Sequence, residues 1–318
     1  MSDDNVEARP KGGRGRADFS FRYLVLFFAS SLTFLVLLYF YELFTGSSLT
    51  LKFGVSFVTG STWDPLREVF GALPMIYGSL VTSAIALLIG VPVSLGVAIF
   101  VSELSPRRLR FPIGFLVELL AAVPSVVYGL WGLFIFAPFL QTYFYPYLQR
   151  YLGFLPIFQG QVYGVSVLTA GIILAIMIIP IISSISRDAL LAVPDSQREA
   201  AYALGATKSE AVNSSVLSYA RSGIIAAIFL GFGRAFGETM AVTFLIGNSP
   251  VISSSLFSPG YTLASLIANE FTEATTQYYV SSLIEAGLVL LAVSFTATFL
   301  GRFLIRRLIK TREAATYL

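Results

Sequence analysis

The chain has 318 residues, 56% of them hydrophobic and 12% charged, with a mean hydropathy of +0.78; soluble domains run nearer a quarter charged, so the composition argues against an ordinary globular enzyme. Cys and His are both absent, which removes Cys/His zinc sites, thiol nucleophiles, disulfide frameworks and every triad that needs an imidazole base. The net charge of +3 is small, and its distribution says more than its sum.

In chain order, residues 1–22 are basic, polar at the start and glycine-containing, which predicts a disordered cytoplasmic tail. Six apolar stretches follow at 23–44, 75–101, 111–139, 162–185, 220–247 and 283–305, each long enough to cross a bilayer, which takes about 20 helical residues. The first is longer than a signal-peptide core and lacks a small-residue cleavage site, so it reads as an uncleaved helix. The transmembrane unit is thus 23–305, and 306–318 forms a second cytoplasmic tail. Pro92, Pro124 and Pro180 fall inside spans two, three and four, where they predict kinks. Glu118, about two turns into span three, is expected to snorkel toward Arg107, Arg108 and Arg110. Tyr143, Tyr145, Tyr147 and Tyr151 read as an interfacial belt. In the outer connection, Tyr261 to Phe271 has the pattern of a short amphipathic helix at the membrane surface.

Orientation follows from Lys and Arg. With six spans, 17 of the 21 basic residues share one side. The other side holds Lys52, Arg67 and Arg150, and Arg234 lies inside a span. Both termini are therefore expected in the cytoplasm, in a bacterial or archaeal-type plasma membrane. A phosphate-binding loop needs Gly-Lys-Ser/Thr. None of the four lysines follows a glycine, so no cofactor or metal is expected on this chain; any ATP and Mg would belong to a partner.

The cytoplasmic connection 186–219 contains Pro194-Asp195-Ser-Gln-Arg-Glu199-Ala200-Ala201-Tyr-Ala-Leu-Gly205. Asp195 or Ser196 can cap a helix, the alanines favour it, and Gly205 can end it left-handed. Ser209 and Glu210 open a second helix leading back to the membrane. A short helix with a small, smooth face suits insertion into a partner's groove. Glu199, Ala200, Ala201 and Gly205 resemble the "EAA" loop of ABC-importer permeases, which docks on the ATPase subunit. That family continues with Ile-x-Leu-Pro; here Leu217 is kept, while Ser215 and Ser218 replace the isoleucine and proline.

Arg234 and Glu238 sit in the middle of span five. An arginine at mid-bilayer costs on the order of 3 kcal/mol on insertion scales, so it should face protein or a water-filled path. The i, i+4 spacing puts both groups on one helical face. Either they form a buried salt bridge fixing register, or Arg234 offers its donors to an oxyanion while Glu238 holds and releases it. Gly233 and Gly237 read as small residues that let two membrane helices approach closely.

The stretch Gly231-Phe-Gly-Arg234-Ala-Phe-Gly-Glu238 through Gly247-Asn248, with Glu118 to Gly132 and Trp63-Asp64-Pro65, resembles the phosphate-importer permeases of the PstC type. The resemblance implies an all-α, six-helix permease of ABC-importer type I architecture. It would form half of a translocation pore with a sister permease, served by an ATPase dimer and an extracytoplasmic phosphate-binding protein. It also assigns Arg234 and Glu238 to phosphate passage, and it implies a transport subunit rather than an enzyme. The alternatives are a permease for sulfate or molybdate, or an ion-gradient-driven secondary transporter using Arg234 and Glu238 without an ATPase.

Overall fold

The computed structural model describes residues 14–316. Among them, six helical stretches are long and apolar enough to cross a membrane. Helix α1 (Arg14–Gly46) opens the chain and starts inside the segment expected as a tail. An apolar helix already nucleated extends cheaply into Arg and Ala. Residues 1–13 lie outside the described residues. The short helix α2 (Val55–Thr59) leads to a two-stranded antiparallel ribbon of β1 (Trp63–Asp64) and β2 (Val69–Phe70), in which Trp63 faces Phe70. Asp64 Oδ1 accepts the amides of Leu66 and Arg67 and so fixes the turn between the strands.

Span two is α3 (Leu73–Ile99), prolonged by a π-helical turn, Phe100–Leu104. Span three differs from its expected limits. Residues 107–122 form a separate helix α4 (Arg107–Ala122), and the membrane-length stretch runs from Ser125 to Leu152. It is built of α5 (Ser125–Trp131), α6 (Ala137–Phe139) and α7 (Tyr145–Leu152), joined by two π-helical turns. The cause is Pro124: the residue before a proline is pushed out of the helical region, and Val123 stands at ψ 126°. Pro124 thus ends one helix and starts the next instead of bending a continuous one, whereas Pro92 and Pro180 lie inside unbroken helices.

Span four is α8 (Val167–Leu191), and it is the centre of the molecule: 67% of its most apolar stretch is buried, against none of α1's. Ile173, Ile178 and Ile182 are fully enclosed between Ala86 of α3 and Ala227 of span five. Beyond α8 come α9 (Asp195–Ala203), α10 (Lys208–Ala211), a π-helical turn (Val212–Val216) and α11 (Leu217–Phe236). Span five is also broken, since α11 ends at Phe236 and α12 (Met240–Leu245) begins four residues later. The amphipathic stretch near Tyr261 is α13 (Leu263–Glu270), capped by Thr262. Helix α14 (Gln277–Thr316) is span six and continues through the expected tail, with no proline or glycine after Gly301 to stop it.

Two smaller expectations are corrected by packing. Tyr145 is not in the interfacial belt: it is fully buried, with its hydroxyl 2.5 Å from Thr169 Oγ1, while Tyr143, Tyr147 and Tyr151 are exposed. Among the described residues, Gly233 and Gly237 do not mediate close helix packing. A Cβ on Gly233 would meet nothing within 4 Å, and one on Gly237 only the Gly233 carbonyl. Gly231 is the residue that does this, since a Cβ there would fall 2.5 Å from Ile182 Cδ1. At the opposite end from α9, Glu270 ties the connections together: its Oε2 accepts from Trp63 Nε1 (2.8 Å) and the Tyr279 hydroxyl (2.6 Å), its Oε1 from the Tyr261 hydroxyl (3.1 Å). Burial pushes the Tyr261 phenol above its ordinary pKa, so it stays a donor.

Candidate functional site

The break in span five shapes the first part of the site. Gly237 follows Phe236, and the chain closes α11 with tight bonds, Gly237 N to Gly233 O and Glu238 N to Ala235 O. Thr239 then precedes α12, whose free first amides need acceptors. Glu238 Oε1 takes the Ala241 N–H at 3.3 Å, and its Oε2 lies 3.3 Å from Arg234 Nη2. The pair spans a joint between two helices rather than one helical face. Glu238 is only 4% exposed, whereas Arg234 is 47% exposed. The carboxylate is therefore fixed by a helix amide and the arginine, while most of the guanidinium fork stays open.

The surroundings of Arg234 are graded. Gly231, Ala235 and Phe236 turn into the core. Leu230, Gly233 and Arg234 are exposed at the i, i+3, i+4 spacing of one face of α11, and Gly237 and Met240, at the joint and the start of α12, are exposed as well. The two glycines thus leave the approach to Arg234 clear of side chains. Helix α12 is braced from behind by α5. A Cβ on Gly129 would meet Phe244 at 2.6 Å and Ala241 Cα at 3.1 Å, and one on Gly132 would meet Leu245 at 2.9 Å. The Tyr128-Gly-Leu-Trp-Gly132 motif and the end of the span-five motif, distant in sequence, are packed together. Asn248, at φ 50°, closes α12 by donating Nδ2 to Thr243 O at 2.9 Å.

The connection between spans four and five forms the second part. Pro194, not Asp195 or Ser196, stands at the cap position of α9, and no side chain caps it. Asp195 instead binds Arg198. Gly205 has φ +83° and ends the segment left-handed. Glu199, Ala200 and Gly205 are exposed and Ala201 is buried. The next helix starts at Lys208, one residue before the expected opening at Ser209, and its cap residue Thr207 forms a capping box with Glu210. Ser215 is half-buried and Ser218 exposed, while Val216 between them fills the core.

Two features went unread in the sequence, and the setting of a third residue, Glu118, differs from its expectation. Leu204 is 91% exposed beside exposed Tyr202, giving the turn two large apolar side chains. Arg198 holds Glu103, at the end of span two, through Nη2 to Oε1 at 2.7 Å and Nε to Oε2 at 3.4 Å. The hydrogen bond to Glu103 raises the Arg198 pKa above its ordinary value. Glu118, expected to snorkel toward Arg107, Arg108 and Arg110, lies on α4, outside the membrane-length stretches, and its ion pair among the described residues is with Arg187 of α8 at 3.3 Å. The signal for Arg198 was its place beside the recognised Glu199; its partner, 95 residues away, had none.

Comparison with known proteins identifies the family and the fold. Residues 90–310 match the family described as binding-protein-dependent transport system inner membrane component. A phosphate transport system permease protein PstC of Xylella fastidiosa is 46% identical over 95% of this chain and 96% of its own length. One of Mesorhizobium japonicum is 49% identical over 84% and 83%, and a probable PstC of Methanocaldococcus jannaschii 36% over 91% and 93%. Among solved structures, an inward-facing form of the MetNI methionine ABC transporter shares the fold, with a TM-score of 0.51 at 15% identity over 79% of this chain and 99% of that one.

Proposed function

The chain belongs to the PstC family of phosphate transport permeases, within the binding-protein-dependent inner membrane components, and on that premise we propose how its geometry moves phosphate. It is the multi-pass permease subunit of an ATP-driven phosphate importer. Arg234 is the single observation that carries the mechanism: a guanidinium at mid-span, 47% exposed, with most of its fork open and a buried carboxylate as its described partner.

Arg234 receives phosphate from the open, glycine-lined face and binds it through charge-assisted hydrogen bonds. Glu238 stabilises the arginine when the path is empty and repels the dianion, which keeps binding weak enough for release. Because Glu238 also holds the Ala241 amide, a change in the angle between α11 and α12 alters the Arg234–Glu238 distance and so the affinity of the site. The same exposed face meets the sister permease to complete the pore.

Energy enters through α9. Glu199, Ala200, Ala203 and Gly205 present a small-residue face, and Tyr202 and Leu204 supply apolar anchors, for a groove in the ATPase dimer that holds ATP and Mg. The excess of Lys and Arg on this side supports a cytoplasmic position for it and for both termini. The binding protein docks on the opposite side, where Glu270 holds the connections as one piece.

The test is labelled-phosphate uptake into proteoliposomes carrying this chain, its sister permease, the ATPase and the binding protein, with and without internal ATP and with sulfate as competitor. Uptake that requires ATP and ignores sulfate is expected. Abolition by sulfate would move the substrate to another oxyanion, and indifference to ATP would overturn the docking role of α9.

A further inference from the structure

We infer that Arg198 is a positioning residue: it locks the α9 docking segment to the inner end of span two, so that displacement of α9 drives span two as well as span five. The inference rests on the reading of α9 as the ATPase-docking segment.

The guanidinium has acceptors from three elements. Besides both Glu103 oxygens, Nη2 donates to Leu190 O at 3.0 Å, and Nη1 donates to Val193 O at 2.6 Å and to Asp195 Oδ1 at 3.3 Å. Leu190 lies in the last turn of α8, where its carbonyl also accepts the Val193 amide at 3.3 Å, and Val193 stands just beyond the helix end. Glu103 lies in the π-helical turn that prolongs α3. Arg198 thus caps α8, bridges to span two and holds the first turn of α9.

Burial separates this cluster from an ordinary surface pair, which contributes little. The Arg198 and Glu103 side chains are 17% and 10% exposed. Beneath them Ala98 of α3, Leu190, Val193, Val216 and Ala220 form one enclosed apolar cluster. A lysine could not replace the arginine, because its donors radiate from a single atom and do not match a two-oxygen fork.

The other anchor of α9 is its packing against the π-helical turn that leads into α11, with Ala201 as the buried residue of α9. The docking segment therefore has two attachments on two spans. Through Ala201 its movement reaches the helix that carries Arg234; through Arg198 it reaches α3. Cutting the Arg198 attachment leaves ATP hydrolysis running while the two spans no longer move together.

The test uses the complete reconstituted transporter and reads ATP hydrolysis and phosphate uptake in the same vesicles. Arg198→Ala and Glu103→Gln should each keep hydrolysis within about twofold and lower phosphate imported per ATP about tenfold, within the usual range of coupling between sites. Arg198→Lys should fall between them and the parent. The double variant Arg198→Ala/Glu103→Gln should be no worse than the poorer single one, as expected for two halves of one contact. An unchanged ratio of uptake to hydrolysis, or losses that multiply in the double variant, overturns the inference. If Arg198→Ala does not assemble, Glu103→Gln, which keeps side-chain volume, decides alone. Parent uptake indifferent to ATP would instead defeat the underlying docking reading, so the two failures are told apart.

Discussion

Two Arg–Glu pairs in this chain have the same chemistry and opposite construction. Arg198–Glu103 joins residues from two elements, is mostly enclosed, and gives its guanidinium backbone acceptors on α8 as well. Arg234–Glu238 joins neighbours across a helix break by one contact of 3.3 Å, with the arginine half exposed. The first has every reason to stay closed; the second can exchange Glu238 for an incoming anion at the loss of a single contact. What a charged pair does is therefore set by how many other partners its members have.

The largest effect that could break this comparison is on uptake by Arg234→Ala, expected to fall by roughly a hundredfold or more on losing a charge-assisted fork. Retention of normal uptake in proteoliposomes would make the span-five pair structural. A matched pair of glutamine substitutions sharpens the contrast. Glu103→Gln should destabilise the protein by about 2 kcal/mol, the scale of a hydrogen bond to a charged group. Glu238→Gln keeps an oxygen for the Ala241 amide and should change stability by less than about 1 kcal/mol, while its phosphate uptake changes severalfold. Equal thermal shifts in the two variants would erase the distinction.

Smaller effects probe the turn after α9. Gly205→Ala has open space for its Cβ but inherits φ +83°, so it should cost about 1 kcal/mol from backbone strain alone. Its readout is faster hydrogen exchange confined to 200–212, and exchange equal to the parent's would mean that the turn relaxes freely. Thr207→Ala, which removes one half of the capping box, should cost about 0.5–1 kcal/mol, read as fraying of α10 in the same experiment.

The spans were readable because apolar runs of membrane length seldom occur outside a bilayer, and the docking segment because glycine and alanine leave a clear local pattern. Breaks inside spans were harder. Pro124 reads as a kink in a hydrophobic window, yet its effect on Val123 separates two helices. Gly237-Glu238-Thr239 is a stop followed by a start, but the apolar residues on both sides make the span look continuous, which hid the capping role of Glu238. Tyr145 looks like its exposed neighbours until Thr169 and Phe257 are brought against it. Nothing local in Arg198 points to Glu103, because that contact exists only once α3, α8 and α9 have packed.

Helix α1 has no buried residue in its most apolar stretch and meets the rest of the chain mainly through α14, near Gly46 and Leu43. Its stability is therefore borrowed from its surroundings rather than from its own protein. The enclosed apolar clusters lie in the rest of the chain, and α1 stands beside them as an outrigger, in the manner of independently inserted helices. Heating in detergent should melt the rest of the chain cooperatively and leave this outrigger out of the transition. Where α1 comes to rest is then decided by whatever neighbour the assembled membrane complex provides.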